Sequence, residues 1–318
     1  MMNLLTAIFF IVMSQAFAQG NFNEEEVLRS AQESFKALPD KLIDEAQSRN
    51  IISLGKKLYL EKKLSASGTI SCNSCHGLDN YGVDNQATSP GHDSTRGARN
   101  SPTSFNAALN SSQFWDGREK DVESQALGPL LNPIEHGLKD KAEALSKIKS
   151  NEYIALFKKA NLKFDFENIG KAIGAFERTL LTPSRFDDYL KGDTTALSFQ
   201  EKRGLKKFMR LGCTSCHSGV NLGGNSFQKM GLVKKYPTKD LGRYDVTKRS
   251  RDKYKFKVPT LRNVEKTGPY LHDGSLTKLR EAISIMGEYQ LGKKLRKHHL
   301  DDLEAFMKAL TSKKDSYL

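Results

Sequence analysis

The chain has 318 residues with a formal net charge of +13 at pH 7, and it contains four cysteines. A disulfide framework is not expected, because such frameworks typically support domains much smaller than this chain. The basic excess would suit nucleic acid, but no recognition motif accompanies the lysines and aromatic residues are not regularly interleaved with them, so no nucleic-acid partner is predicted. The basic segments 229–257 and 293–297 are interpreted as a solvated face or as a docking surface for an acidic redox protein.

Residues 1–18 have the pattern of a secretory signal peptide. An apolar run at residues 4–13 is followed by Ala16-Phe17-Ala18, a small-x-small cleavage site, and the run is too short to span a bilayer. The stretch before the run lacks lysine and arginine, so a buried first helix is the alternative, against which the polar residues 19–26 argue. We expect cleavage after Ala18, export to the periplasm and no stable insertion into the membrane.

Helical spacing of apolar residues predicts most of the remaining secondary structure. The predicted helices cover residues 24–38, 41–57, 142–149, 151–160, 167–180, 198–209, 276–286 and 300–310. Segments 77–102 and 220–258 are rich in glycine and polar residues and are predicted loops. The polar stretch after Thr182-Pro183-Ser184 is the predicted connection between two domains, 19–183 and 184–318. The predicted fold is therefore mainly α, with long loops and little β structure.

All four cysteines lie in two copies of Cys-x-x-Cys-His, the sequence that attaches haem c: the thiols add to the porphyrin vinyl groups and the histidine binds the iron. The two copies consist of Cys72, Cys75 and His76, and of Cys213, Cys216 and His217. A redox dithiol would need a βαβ pattern nearby, which neither copy has. A zinc ribbon would need the two cysteine pairs about 15–20 residues apart, and these pairs are far more distant. One covalent haem c in a cytochrome c-like domain is therefore predicted in each half.

Three further residues of the first half have either a structural role or a role in haem chemistry. His92 lies in the long loop after the first haem motif, where a lone histidine is most often exposed and iron ligation is the alternative. Trp115, the only tryptophan, would suit core packing, but a large aromatic between cofactors could also carry an electron. Glu135 follows Pro133-Ile134, and burial in this apolar turn would raise its pKa, as acid/base work at neutral pH requires.

Three methionines of the second half compete for an axial position on the second haem iron. Met286 shares one helix face with Leu279 and Ile283, so by base rate it is more often a core residue than a ligand. Met230 and Met307 are the other candidates. The residues alone do not choose between them.

With these residues laid out, the chain resembles the bacterial dihaem cytochrome c peroxidases from about residue 54 to residue 310. Besides the first haem motif, the matching segments are Leu54-Gly55-Lys56-Lys57-Leu58-Tyr59, Arg99-Asn100-Ser101-Pro102, Trp115-Asp116-Gly117-Arg118, Gln125-Ala126-Leu127-Gly128-Pro129, Asn132-Pro133-Ile134-Glu135, Pro259-Thr260-Leu261-Arg262-Asn263, Tyr270-Leu271-His272-Asp273-Gly274 and Ile285-Met286-Gly287. The resemblance covers most of the chain that follows the predicted signal peptide.

The resemblance implies roles for the candidate residues of the first half. His76 would be the proximal ligand of a low-potential haem at which peroxide is cleaved, and His92 a removable distal ligand of the same iron. Gln125 and Glu135 would form the distal pair, with Glu135 as general acid/base. Trp115 would lie between the two haems.

For the second half, the resemblance implies that His217 and Met286 bind the iron of the C-terminal haem. A thioether favours ferrous iron more than a second imidazole does, so this haem would hold an electron at the higher potential. Asn100, with the carbonyl groups of Thr267 and Pro269, matches a calcium site at the domain interface.

The implied activity is the reduction of hydrogen peroxide to water with electrons from a small cytochrome c or cupredoxin, and a homodimer remains open. One rival is a dihaem electron carrier, which needs no Glu135. The other is an enzyme of the methylamine-utilisation type, which oxidises a protein and has tyrosine in place of the axial methionine, so that Met286 favours the peroxidase. His136 stands where the family often has methionine, and it could shift the acidity of Glu135 if it pointed into the pocket.

Overall fold

The computed structural model describes residues 22–313, so the predicted signal peptide lies outside the described residues. Helices α1 to α13 are, in chain order, Glu24–Ser34, Arg49–Tyr59, Cys72–Cys75, Val122–Gln125, Gly128–Leu131, Lys141–Ile148, Asn151–Lys159, Phe166–Glu177, Arg185–Leu190, Phe199–Leu211, Tyr244–Thr247, Leu279–Ile285 and Lys297–Ala309. Short 3₁₀-helices cover Lys62–Leu64, Ala107–Leu109, Cys213–Ser215 and Ser250–Asp252, and a π-helical turn covers Met286–Gln290. Strands β1 (Phe227–Lys229) and β2 (Lys255–Lys257) pair antiparallel inside a predicted loop. The predicted mainly α fold with little β structure is confirmed.

The first hydrophobic core lies around the crossing of α2 and α8. Leu54 and Leu58 of α2 are fully buried, and Phe176 of α8 is nearly so. The helices approach so closely that a Cβ on Gly55 would lie 1.9 Å from the carbonyl oxygen of Ala172. Because glycine lacks a side chain, the two backbones can meet here, and the chain after α2 leads to the first haem motif.

The second core repeats this arrangement around the crossing of α10 and α13. A Cβ on Gly204 of α10 would lie 2.0 Å from the carbonyl oxygen of Asp302 of α13. Leu205, Phe208 and Phe306 are buried at this crossing. The second haem motif begins two residues after the end of α10. In each half, the helix that precedes the haem motif is therefore packed against a later helix through a glycine.

Helix α1 packs in the second core, although the sequence assigns it to the domain 19–183. Its Val27 and Ala31 are buried there, and Phe35 makes edge contacts with Phe186 at 5.4 Å between ring centroids. The periodicity of α1 predicts an apolar face but does not say which core that face will cover. Residues 24–38 thus pack with the part of the chain that follows Ser184, and the division into domains 19–183 and 184–318 stays a prediction.

Helix α2 begins later than predicted. Residues 41–48 form turns, and the carboxylate of Asp44 accepts the backbone N–H groups of Ala46 and Gln47. Such local side-chain bonding competes with a helix, so α2 starts only at Arg49. Within residues 22–313, the helices are all too short or too polar to cross a bilayer.

Candidate haem sites

The first haem motif forms a short helix in which both thiols are unpaired. Ser71 caps the start of α3, and the backbone N–H of His76 donates to the carbonyl of Cys72 at 2.9 Å. The hydroxyl of Tyr59 donates to the carbonyl of His76 at 2.7 Å. Neither cysteine forms a disulfide. Burial raises the pKa of Cys72 to about 12 and that of Cys75 to about 11, so both side chains are neutral thiols at pH 7.

His76 is half-buried, and its buried Nδ1 makes no well-formed hydrogen bond to the described residues, although the backbone of Pro102 and of Gly82 is close enough to raise the pKa of the ring. Burial lowers the pKa of His76, so the ring is neutral, which is the form that binds a metal. Two free thiols beside a neutral imidazole are the donor set that covalent haem c requires.

Glu135 is a half-buried residue in the turn that follows α5. Asn132 donates its side-chain amide to Oε1 of Glu135 at 2.8 Å. Burial raises the pKa of Glu135, while the Arg118 cation and the Asn132 hydrogen bond oppose this rise. The charge of Glu135 in turn raises the pKa of Cys72 and of Cys75, in both cases less than burial does, so this carboxylate lies within electrostatic reach of the first haem motif.

The loop that carries His92 is closely packed against the Glu135 turn. The backbone N–H of His92 donates to the carbonyl of Glu135 at 2.8 Å, and a Cβ on Gly91 would lie 1.6 Å from the carbonyl oxygen of Ile134. The half-buried imidazole of His92 covers Gly137, where a Cβ would lie 2.2 Å from Nε2. His92 is therefore not a freely exposed loop histidine. Ile134 itself is 40% exposed, so other groups than this apolar residue bury Glu135.

His136 has a structural role in this region. Its Nδ1 lies 2.6 Å from the carbonyl oxygen of Leu64, and its own carbonyl accepts the backbone N–H of Ala66 at 2.8 Å. Burial lowers the pKa of His136, so the ring is neutral. Burial, Arg118 and Asn132 account for the pKa of Glu135, so the predicted influence of His136 on that carboxyl group is not seen.

Gln125 and Trp115 lie on segments that approach different parts of the molecule. Gln125 is the half-buried last residue of α4, and its side chain makes no hydrogen bond to the residues that the structure describes. Trp115 donates Nε1–H to the carbonyl of Asn100 at 2.9 Å, and its own carbonyl accepts the backbone N–H of Lys257 at 2.7 Å. Trp115 thus links the first half of the chain to β2 of the second half.

A cavity of about 260 Å³ lies beside the second haem motif. Its walls include Cys213, Cys216, His217 and Trp115, and most of the other wall residues are apolar. Nδ1 of His217 lies 3.2 Å from the carbonyl oxygen of Leu222, which fixes the ring and leaves Nε2 free to bind a metal. Burial lowers the pKa of His217 to about 4, so this imidazole too is neutral. The donor set and the apolar walls fit a second haem c.

All three candidate methionines line this cavity. Met286 begins the π-helical turn, and such turns occur frequently at functional sites. The sulfur of Met230 lies 3.9 Å from Nε2 of Gln290, and Met307 is packed into the second core. These contacts favour Met286, and the identity of the axial ligand stays a prediction.

The residues predicted to bind calcium line the same cavity. Asn100, Thr267 and Pro269 all contribute to its walls, and Nδ2 of Asn100 donates to the carbonyl of Gln86 at 3.0 Å, which leaves Oδ1 free. Calcium takes about six to eight oxygen ligands, so water would have to complete this set. In the described part of the chain, no group of three or more His, Cys, Asp or Glu side chains could hold a metal ion, so a site here would depend on neutral oxygens. Calcium binding stays a prediction.

Comparison with known proteins agrees with this geometry. A family model described as di-haem cytochrome c peroxidase matches residues 49–195. The cytochrome c551 peroxidase of Pseudomonas aeruginosa is 45% identical over 294 residues, which cover 88% of this chain and 84% of that protein. The chain belongs to the di-haem cytochrome c peroxidase family.

Two further proteins extend the comparison. The cytochrome c551 peroxidase of Nitrosomonas europaea is 44% identical over 274 residues, which cover 83% of this chain and 81% of that protein. A crystal structure of a MauG-like protein associated with microbial copper homeostasis is 29% identical, with a TM-score of 0.78 over 87% of this chain and 94% of that chain. Family membership confirms the prediction of a dihaem peroxidase and implies two haem groups.

Three side chains of the first site have roles that the sequence did not predict. Asn132 holds the carboxylate of Glu135, Arg118 limits its pKa, and Tyr59 supports the carbonyl of His76. All three stand in segments that match the family, but nothing in the local sequence says what they contact. Arg118 and Tyr59 lie 17 residues from Glu135 and His76, respectively, so only the fold brings them together.

Proposed function

We propose that this protein is a periplasmic cytochrome c peroxidase that reduces hydrogen peroxide to water with electrons from a small redox protein. The observation that carries the proposal is the half-buried carboxyl group of Glu135, held by Asn132 within electrostatic reach of the first haem motif. An electron carrier needs no such group. Haem c bound at the two motifs would supply iron that splits the peroxide bond and stores the electrons.

Glu135 would move the protons of the reaction. Reduction of one hydrogen peroxide takes two electrons and two protons and gives two waters. The ionised carboxylate accepts a proton from one peroxide oxygen and returns it to the oxygen that departs, so that water leaves instead of hydroxide. Gln125, whose side chain has no partner among the described residues, would orient the peroxide by hydrogen bonding.

His92 would control access to the first site. Its loop is bonded to the carbonyl of Glu135, so a movement that releases the imidazole also reaches the turn that bears the acid. A histidine that blocks the open position of His76's haem in the oxidised protein, and leaves on reduction, would need such a loop to have two stable arrangements.

An exposed apolar loop beside the second cavity supports docking of the electron donor. Leu232 and Val233 are 63% and 64% exposed, and the backbone N–H of Val233 donates to the carbonyl of Tyr289 in the π-helical turn that begins with Met286. Lys229 and Lys235 of the surrounding segment are exposed as well. We propose that an acidic cytochrome c or cupredoxin binds here, near the haem of His217.

Export and calcium binding complete the proposal. Residues 1–18 would direct the chain to the periplasm and be removed after Ala18. Asn100 and the carbonyl groups of Thr267 and Pro269 would hold calcium with water as further ligands.

Steady-state peroxidase assays on the haem-loaded protein test the function. Half-reduced protein, mixed with peroxide and a reduced small cytochrome, should turn over, and Glu135→Gln should lower kcat/KM for peroxide by about 10²- to 10⁴-fold. Glu152→Gln, which removes the same charge from a 63% exposed side chain, should leave turnover unchanged. No turnover in the unchanged protein would favour the carrier. Slow oxidation of small cytochromes with rapid oxidation of a protein side chain would favour the MauG-like activity.

A further inference from the structure

Lys257 is an unusual residue in the wall of the second cavity. It is 6% exposed, and among the described residues that line the cavity it is the only lysine, arginine, aspartate or glutamate. It ends β2, and its backbone N–H is held by the carbonyl of Trp115 at 2.7 Å. A buried lysine therefore lines an otherwise neutral cavity.

The ammonium group of Lys257 has no ion-pair or hydrogen-bond partner in the described part of the chain, and burial alone lowers its pKa to about 8. The charged groups on the neighbouring segments are bonded elsewhere: Arg99 to Asp116 and Asp240, Arg243 to the carbonyl of Asp116, and Lys255 to Asp252. His272 stacks on Phe256 at 4.1 Å, and burial lowers its pKa. Within residues 22–313, no anionic side chain thus compensates Lys257.

Burying an unpaired charge is unfavourable, so the missing anion should come with whatever fills the cavity. A haem c joined to Cys213 and Cys216 by its vinyl groups carries two propionates on another edge of the ring. Two neutral polar residues, Asn100 and Gln228, line the same cavity. Asn100 accepts a hydrogen bond from Trp115, and Gln228 of β1 pairs with Phe256, the residue before Lys257. This part of the wall has the chemistry that a carboxylate requires.

We propose that Lys257 binds a propionate of the haem attached to Cys213 and Cys216, and that this ion pair raises the reduction potential of that haem. The inference rests on a haem being bound at this motif, which the family implies, and not on peroxidase turnover. Lys257 does not touch peroxide or the iron in this proposal. It is a positioning residue for the haem and for the electron stored there.

The sign of the effect follows from electrostatics. Reduction removes one positive charge from the iron, so a nearby ammonium group favours the ferrous state, and its removal lowers the potential. In a variant without the ammonium group, the propionate is left without a counter-ion in an apolar cavity, and burial raises its pKa. Such a propionate takes up a proton when the iron is reduced, so the potential becomes more dependent on pH.

Redox titration of the haem-loaded protein tests the proposal without any turnover. The potential of the His217 haem is measured spectroscopically from about pH 6 to about pH 9, a range that covers neutral pH on both sides. For Lys257→Met we expect the electron affinity of this haem at neutral pH, where the lysine is charged, to fall about tenfold, which is 59 mV for a one-electron couple. Lys257→Arg, which keeps the positive charge, should have the same potential and the same pH dependence as the unchanged protein.

Lys229→Met is the matched control, because Lys229 is an exposed lysine of β1 and its replacement removes the same charge. Water and salt screen such a charge, so a change of less than about twofold is expected. Equal shifts for Lys257→Met and Lys229→Met would overturn the proposal.

Lys257→Gln keeps a hydrogen-bond donor without the charge, and its haem content is checked before titration. If Lys257→Met does not take up haem, Lys257→Gln decides: a lowered potential supports the ion pair, and an unchanged potential overturns it. If the unchanged protein has no peroxidase activity, the proposed function is wrong, but the potentials of the variants still test the ion pair. Failure of the proposed function and failure of this proposal can therefore be told apart.

Discussion

At the scale of single residues, the acidity of Glu135 is set by burial and by the neighbouring side chains of Arg118 and Asn132. Burial raises its pKa, and the Arg118 cation, which also contacts Asp116 at 3.0 Å, pulls the pKa back down. The proposed mechanism needs the ionised carboxylate to accept a proton from peroxide. The fall of kcat/KM for peroxide at low pH, which is the acidic limb of the activity profile, should therefore occur at the pKa of Glu135.

Replacing Arg118 by glutamine should move that acidic limb to higher pH. Without the cation, the ionised carboxylate loses a favourable interaction, so the pKa of Glu135 rises further and activity in the acidic limb falls several-fold. The measurement is kcat/KM for peroxide against pH. Arg29→Gln removes the same charge from the exposed face of α1 and should leave the profile in place. A shift to lower pH in Arg118→Gln would contradict the assignment of Glu135 as the base.

The axial methionine can be identified in the same way, by paired substitutions. Met286→Ala should abolish the methionine-to-iron charge-transfer band of the ferric C-terminal haem and lower its potential, because a thioether ligand favours ferrous iron. Met230→Ala removes another sulfur from the cavity wall and should keep the band. If only Met230→Ala loses it, Met230 is the ligand.

Much of the candidate site at this scale could be predicted, because the chemistry of haem attachment uses the contiguous signature that contains Cys72 and His76. Glu135 was recognisable from its context in the family. The contacts of Arg118 and Lys257 were not, because each depends on which distant segment packs against it. A lysine in a basic segment looks like a surface residue until the fold shows that it is 6% exposed.

At the scale of elements, the two halves share a construction that the sequence hardly shows. In each half, the helix before the haem motif crosses a later helix at a glycine, Gly55 in α2 and Gly204 in α10. The helices themselves were predictable from apolar periodicity, for example α10 and α13. The close crossings were not, because an isolated glycine in a helix does not identify the backbone that it touches.

Gly55→Ala should destabilise the protein by about 1–3 kcal/mol, the usual range for overpacking of a tight contact. The added Cβ would lie 1.9 Å from the carbonyl oxygen of Ala172, a backbone atom that cannot turn away, so α2 and α8 must separate. The measurement is urea unfolding of the haem-loaded protein. Gly97→Ala adds the same methyl group where nothing lies within 4 Å, and it should cause no loss. Equal stability of the two variants would show that the crossing tolerates wider spacing.

At the scale of the whole molecule, ionic and hydrogen bonds join the two halves beside the second cavity. Arg99 of the first half binds Asp240 of the second through two hydrogen bonds of 2.7 and 2.8 Å, and it also binds Asp116 at 2.6 Å. The sequence predicted two halves, each with a haem, but it did not show that α1 packs with the second core. Amphipathic periodicity specifies a buried face and not its partner, so the joining of the halves had to be read from the structure.

A double-mutant cycle on Arg99 and Asp240 should therefore give a coupling free energy of about 1–2 kcal/mol in urea unfolding of the haem-loaded protein. Their side chains are 22% and 19% exposed, so water screens the pair only in part. The same cycle on Lys57 and Glu152, 39% and 63% exposed, should give about 0.5 kcal/mol or less. Equal coupling in the two cycles would contradict a structural role for the pair that joins the halves.

The pH dependence of this coupling supplies an independent check. Burial alone would raise the pKa of Asp240, but hydrogen bonds from Arg99 and from the backbone of Gly242 lower it below its ordinary value. Because the folded pKa is lower than the unfolded one, the stabilisation is complete above about pH 5 and is lost as the pH falls through the folded pKa. The coupling should therefore be constant between about pH 5 and pH 8 and decline only in stronger acid. A coupling that instead weakened between neutral pH and pH 8 would mean that a group other than the Asp240 carboxylate binds Arg99.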